Sequence, residues 1–473
     1  MTLFADLPDD EGLPGRQRRL AMIAVMISTT MAVFDGSMVN IALPQIARAL
    51  QVSSGDVVWI ANGYLLSAAM TLAIFAALAA RSGFRLLFAA GVSLFTLASL
   101  GCALSKSLPW LVVMRVLQGI GGAATLSIAP AILRSIFPNR LLGRILGINA
   151  LLIATCTALS PVIGGALLDA LSWQWLFAIN LPLGLAALVL ALRVLPDKRN
   201  PQHGPFDIQG AVLSATMLGA VIMASNAFSH TEIQAIDPLV TFAGYGAVAL
   251  LAGALFIRRQ QRAPQPLLPL TLFASPRFSL AALTSLASFV SQGMAFVVLP
   301  FLFQSVYGYS VLTSALLFTS WPVGIMLVAS LAGRLADRYS PALISTIGLS
   351  LFAVGLSSLA LLPDRAMIWD ISLRGLICGI GFGFFQSPNN REMLANASRE
   401  LSGYASGVLA IMRMFGQSLG AALIGVILSL YGYAATSGAE EHAVRLGLWL
   451  AALATVVAII VSVARLRQAH YQT

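Results

Sequence analysis

The sequence predicts an all-α membrane protein of about 14 transmembrane helices, arranged as two six-helix halves plus an inserted helix pair. Three observations carry that prediction. The chain of 473 residues is 58% hydrophobic and only 10% charged, with a mean hydropathy of +0.86; a soluble domain carries about 25% charged residues. Apolar stretches of about 20 residues, each enough to cross the hydrocarbon core, recur along the whole chain. Sequence marks in the first part also return at nearly one offset in the second.

Taken in order, the first span runs from about 20 to 44, behind Arg16, Arg18 and Arg19. Residues 1–15 are polar and acidic and the apolar run is too long for a secretory h-region, so no cleavable signal peptide is expected. Spans near 57–79, 85–105, 109–132, 142–169 and 174–195 complete a first half over 20–196, after a tail of 1–19. Spans near 207–228 and 238–258 form the inserted pair, within 197–262. Spans near 277–304, 311–332, 341–362, 367–389, 403–431 and 443–465 make a second half over 263–466, before a tail of 467–473. Backbone groups in lipid are satisfied only in helices or closed barrels, and runs this long and continuous mean helices.

Basic residues crowd alternate connections. They are Arg81 and Arg85; Arg134, Arg140 and Arg144; Arg193, Lys198 and Arg199; Arg258, Arg259 and Arg262; Arg334 and Arg338; Arg391 and Arg399. The opposite connections hold only Arg48, Lys106, Arg365 and the mixed Glu440-Glu441-His442-Arg445 group. By the positive-inside rule both termini are expected in the cytoplasm, with the chain in the cytoplasmic (inner) membrane. The net charge of +10 follows from these loops and does not call for nucleic acid.

The repeat rests on several marks. Leu78 and Arg81 after span two match Leu335 and Arg338 after span ten, both at 257 (335 − 78, 338 − 81). Arg115 in span four matches Arg374 in span twelve at 259 (374 − 115). Cys156 and Ser160 in span five match Gly416 and Gly420 in span thirteen at 260 (416 − 156, 420 − 160). Parallel repeats of this kind mark secondary transporters, with a substrate site between the halves near mid-membrane.

Other chemistries find little support. Cys102, Cys156 and Cys378 lie in apolar runs without metal-ligand spacing, so neither a disulfide framework nor a metal site is expected. His203, His230, His442 and His470 lie in loops or tails and no nucleophile–base spacing appears. No nucleotide-binding loop is present. No cofactor is expected, and the short loops and tails leave no room for a receptor's output domain.

Span one nevertheless carries an acid, Asp35, at a cost of about 2.5–3.5 kcal/mol on insertion scales. At 1.5 Å per residue it lies about 22 Å from the cytoplasmic start of its span, and Arg115 and Arg374 lie at about 21 and 20 Å in a core of about 30 Å. Three charges therefore share one layer. Asp35 could exchange a coupling proton with Arg115 tuning its charge, form a permanent pair with Arg115 that pins helices, or cap a break at Gly36. Arg374 has a local alternative in Asp370, four residues earlier on the same face.

Several stretches carry a family resemblance. They are Phe34-Asp35-Gly36-Ser37-Met38-Val39-Asn40-Ile41-Ala42-Leu43-Pro44 in span one, Trp59 and Tyr64 opening span two, and Arg115 through Ala123 in span four. Pro161-Val162-Ile163-Gly164-Gly165 in span five, Ser172-Trp173 with Phe177-Ala178-Ile179-Asn180-Leu181-Pro182-Leu183-Gly184, and Phe206-Asp207 complete the set. In this order and spacing, the chain resembles the major facilitator superfamily and, within it, the fourteen-span drug:proton antiporters of EmrB/QacA type. The resemblance covers about 20 to 465. It implies a central cavity lined by spans one and four from one half and nine and twelve from the other. It implies proton-coupled export of lipophilic drugs, with small-molecule substrate, protons and membrane lipid as partners. It also implies that Pro161, Gly164 and Gly165 seal and flex the outer half, and that Arg81 and Gly83, with Gly333, Asp337 and Arg338, form conformational latches. Two positions depart from the family pattern: Ala80 replaces an aspartate, and Cys156 and Ser160 stand where glycines are usual.

Candidate cavity residues are Met31 and Phe34 in span one, Asn62 in span two, Gln292 in span nine, Trp321 in span ten, and Arg374, Gln386 and Asn389 in span twelve. Aromatic and methionine walls suit varied lipophilic ligands. One carboxylate and up to two arginines argue against dications and leave monocations, neutral and anionic compounds open. The rival reading is an exporter of one endogenous metabolite, a siderophore or organic anion. A monomer is expected, with an adaptor protein left open.

Overall fold

Each apolar run becomes one helix, and most helices outrun the run that announced them. The computed structural model describes residue 4 and residues 12–196, 206–228, 237–397, 401–432 and 437–470. Within those residues, 14 helices are long and apolar enough to cross a membrane. They are built on α1 (Gly15–Leu50), α2 (Trp59–Ser82), α3 (Phe84–Ala103), α4 (Leu108–Ile136), α5 (Asn139–Ala170), α6 (Asn180–Val194, which the short helix Trp175–Ala178 extends to a span of 20 residues), α7 (Ile208–Ser225) and α8 (Pro238–Arg262). The chain continues through α9 (Pro276–Phe301), α10 (Val311–Arg338), α11 (Pro341–Ala360), α12 (Ile368–Ala395), α13 (Ser402–Gly432) and α14 (Ser437–His470). Lys198, Arg199, His203, His230, Arg399 and the side chain of Ala80 lie outside the described residues.

Helix α1 shows why the sequence underestimates helix length. Its 36 residues rise about 54 Å at 1.5 Å each, far more than an apolar core of about 30 Å. Pro44, which closed the predicted span, sits inside the helix. With an even number of candidate crossings among the described residues, α1 begins and α14 ends on one side, here called the termini side; the opposite side is the far side.

The repeat reappears as packing. In the first half Cys156 Sγ reaches Thr30 Oγ1 at 3.7 Å and Ser160 Oγ donates to the Phe34 carbonyl at 3.1 Å, so α5 lies on α1. In the second half Gly416 lies against the Val290 amide and Gly420 against the Met294 amide, so α13 lies on α9. Partners and positions are all displaced by 260 (416 − 156, 290 − 30, 420 − 160, 294 − 34). The second contact is the tighter: a Cβ at Gly420 would stand 2.2 Å from the Val290 carbonyl oxygen.

The two halves close on each other at the far side. A Cβ at Gly165 would come within 2.4 Å of Ala315 Cβ, and one at Gly55 within 2.8 Å of the Gly425 carbonyl. Helix α9 ends past Pro300 in a π turn, Leu302–Val306, from which Gln304 Nε2 donates to the Ile41 carbonyl at 2.8 Å. Gly164 packs on Met38 of α1, so the span-five glycines touch one helix of each half. Toward the termini side, a Cβ at Gly147, Gly403 or Gly407 would meet nothing within 4 Å.

The termini-side motifs differ in the two halves. Gly83, at φ +87°, makes the one-residue turn from α2 to α3, a backbone an L side chain adopts only with strain. Arg81 donates to the Ala77 carbonyl at 2.6 Å and to Gln265 Oε1 at 2.9 Å, with its guanidinium over the Phe206 ring. Gly333 lies within α10, where a Cβ would make ordinary contact with Ser387 Oγ. Of the second-half motif, Asp337 pairs with Arg391 of α12 and Arg338 is exposed. Successive helical residues point about 100° apart, so an adjacent acid and base do not face each other.

The inserted pair is anchored by Asp207, which caps α7 through the Gly210 amide (3.1 Å) and accepts from Arg259 Nε (2.8 Å) and Gln260 Nε2 (2.9 Å) of α8. Burial pushes its carboxyl up, but Arg259, the Gly210 amide and Gln260 together hold it below its ordinary value. A depressed folded value adds stability above the unfolded value of about 3.9, lost as pH falls through the folded one. Asp207→Asn therefore lowers the melting temperature of the purified protein at pH 7, and the difference from wild type shrinks as pH is lowered below about 4. The tight α13–α9 seam predicts that Gly420→Val destabilises by about 1–3 kcal/mol or more through overpacking. Gly407→Ala, in open space within the same helix, raises stability by about 0.4–1 kcal/mol.

Candidate functional site

Two adjoining sites occupy the middle of the molecule, a buried charge network in the first half and a cavity between the halves. The network begins at Asp35, 1% exposed in α1. A carboxylate in low dielectric needs donors on both oxygens, and each comes from another helix. Oδ2 receives Arg115 Nη1 of α4. Oδ1 accepts from Gln118 Nε2 at 2.8 Å and from Asn180 Nδ2, at the start of α6, at 3.2 Å.

Arg115 and Gln118 stand three residues apart on one face of α4, where side chains meet. Arg115 also donates Nε to the Ile60 carbonyl of α2 at 3.0 Å and Nη1 to Gln118 Oε1 at 2.6 Å. Gln118 Nε2 reaches Ser99 Oγ of α3 at 2.8 Å. The Tyr64 ring covers the guanidinium, 4.5 Å from Cζ to centroid, with Phe177 at 5.6 Å. The Tyr64 hydroxyl donates to the Ala32 carbonyl at 3.3 Å.

Beside the network lies a cavity of about 280 Å³ lined from both halves. Helix α1 contributes Ala32, Val33, Gly36, Ser37 and Asn40, a spacing of one helical face. Asp35 and Met31 fall on the other face of α1, outside that lining. Tyr64, a lining residue, stands between the cavity and Arg115. The opposite walls carry Gln292, Phe289 and Phe296 of α9, Phe318 of α10, Gln386 of α12, and Arg413, Met414 and Gln417 of α13. Gln417 Nε2 donates to Gln292 Oε1 at 2.8 Å.

Of the residues proposed as cavity wall, Gln292 and Gln386 are in its lining. The others lie elsewhere, each for a packing reason. Asn62 is 1% exposed and accepts from Ser418 Oγ, tying α2 to α13. Asn389 is held by Ser285 Oγ (2.7 Å), the Ala281 carbonyl (3.2 Å) and Arg465 Nη1 (2.6 Å). Trp321 packs edge-on to Phe296 and Phe352. Met31 is buried with Tyr64 and Phe95, and Phe34 packs on the main apolar core. Arg374 pairs with Asp370 at 2.8 Å, near the far-side start of α12.

Sequence reasoning passed over several polar members of these sites, among them Gln118, Asn180, Tyr64 and Arg413. Gln118 was signalled by its spacing from Arg115, and Asn180 and Tyr64 stood in quoted motifs without a role. Arg413 carried the plainest signal: an arginine about 16 Å along α13, the same depth logic that singled out Asp35. Another buried pair, Arg465 Nη1 with Glu392 Oε2 at 3.2 Å, joins α14 to α12.

Removing one partner of a buried pair leaves the other charge uncompensated. Arg115→Ala is expected to cost about 3–5 kcal/mol of stability, and Gln118→Ala about 1–3 kcal/mol through the lost bond to Asp35. Denaturation of the purified variants in mixed micelles checks the order.

The sequence profile of the Major Facilitator Superfamily matches residues 25–421. The uncharacterized transporter YebQ of Escherichia coli (strain K12) is 41% identical over 463 residues, covering 97% of this chain and 98% of YebQ. The tetracenomycin C resistance and export protein of Streptomyces glaucescens is 34% identical over 425 residues, 88% of this chain and 77% of that protein. A solved bacterial homolog of the human lysosomal transporter Spinster, inward-facing and unoccupied, gives a TM-score of 0.69 at 16% identity, covering 95% of this chain and 97% of that one. At that identity the likeness is one of fold.

Proposed function

The chain belongs to the Major Facilitator Superfamily, and we propose that it is a proton-coupled exporter of lipophilic compounds, working by alternating access with its termini side in the cytoplasm. The observation that carries this reading is a fully buried carboxylate, Asp35, paired with Arg115, whose guanidinium lies under the cavity-lining ring of Tyr64. A proton on Asp35 deprives Arg115 of its counter-ion, so the two charge states favour different arrangements of Arg115 and of the ring that covers it. Because Tyr64 is also a cavity wall, substrate and proton act on one side chain. The basic termini-side loops support the orientation. The aromatic and methionine walls and the exporter among the relatives support lipophilic cargo.

The competing role for Asp35 is a pin that only holds α1, α4 and α6 together. Asp35→Asn in proteoliposomes separates the two. For proton coupling, transport driven by a pH gradient falls at least about 100-fold while substrate exchange at equal pH persists, as expected when only the ionisable group is removed. Equal loss of both activities supports the pin, and wild-type gradient-driven transport overturns the proton role.

A further inference from the structure

The cavity wall carries one charged side chain, Arg413, and no acid. No carboxylate pairs with Arg413 among the described residues, and the buried acids nearest in kind are already engaged, Asp35 by Arg115 and Glu392 by Arg465. The cation stands about 16 Å along α13, near mid-membrane, where an unneutralised charge marks a functional site. Its surroundings suit an anion. Gln417, one turn further along α13, uses its amide nitrogen on Gln292 Oε1, which leaves the Gln292 amide nitrogen as a second donor in the lining of the same cavity. Phe289, Phe296 and Met414 supply apolar surface in the same wall.

We propose that Arg413 is an anion subsite and that the substrates of this cavity are lipophilic organic monoanions. Their carboxylate binds the Arg413 guanidinium, whose planar fork matches two oxygens, and Gln292 donates alongside. Their apolar body lies on Phe289, Phe296 and Met414. This assignment rests on the transporter reading above and narrows its cargo. It separates the roles of the two central arginines: Arg115 is paired with Asp35 inside the first half, whereas Arg413 is neutralised by substrate.

Three probes sharing one ring system test it: 2-naphthoate, 2-naphthamide and 2-naphthylmethylammonium. Each is titrated calorimetrically against the full chain in lipid nanodiscs, with empty nanodiscs as the baseline for partitioning. Wild type is expected to bind the naphthoate at least about tenfold more tightly than the amide, and the ammonium most weakly. Arg413→Gln abolishes the difference between naphthoate and naphthamide while leaving naphthamide binding in place, and Arg413→Lys retains part of it. Because binding is measured without a gradient, the wild-type preference is read whether or not transport proves to be proton-coupled. Absence of naphthoate binding, equal or tighter binding of the amide or the ammonium by wild type, or equal loss of all probes in Arg413→Gln overturns the proposal.

Discussion

A charge inside a membrane protein must find its partners within the protein, and in the first half that requirement falls on Asp35 and Arg115. Their pair draws in five helices. Asp35 belongs to α1 and Arg115 and Gln118 to α4; the remaining valences are met by Asn180 of α6, the Ile60 carbonyl of α2 and Ser99 of α3. No donor in this set points at lipid, because hydrocarbon offers nothing to bond. The azimuth of each of these helices is thereby constrained, and so is the strip of α1 that is left to face the cavity.

Close approach of backbones does for α9 and α13 what polar contacts do for α1 and α5. Gly416 and Gly420 let α13 touch the α9 backbone directly, whereas Cys156 and Ser160 hold α5 on α1 through a thiol and a hydroxyl. Without a hydrophobic force between helices in lipid, such packing and hydrogen bonds carry association. One architectural contact is thus realised twice, by different chemistry, at the same displacement along the chain. Gly164 and Gly165 extend the scheme across the halves, one against Met38 and the other against Ala315.

The two central arginines illustrate how similar sequence signals acquire different meanings. Arg115 is covered by Tyr64 and Phe177 and bonded on three sides, so it belongs to the interior of one half. Arg413 lies in the wall of the space between halves, where its neighbours are amides and aromatic rings. Tyr64 touches both environments, being the ring over Arg115 and a cavity wall at once.

The amino-acid sequence by itself determined the number of spans, their order, the repeat, and the shared depth of Asp35 and Arg115. Those follow from apolar run length and from a constant rise per residue, which are local properties of the chain. It did not determine azimuth. Asn62, Asn389 and Trp321 have the depth of cavity residues, yet each is turned into a helix seam that satisfies or buries it. Gln292 and Gln386, no different in composition, are turned toward the open space. Rotation of a helix about its axis is decided by which neighbour offers a partner or a groove, and only tertiary packing supplies that neighbour.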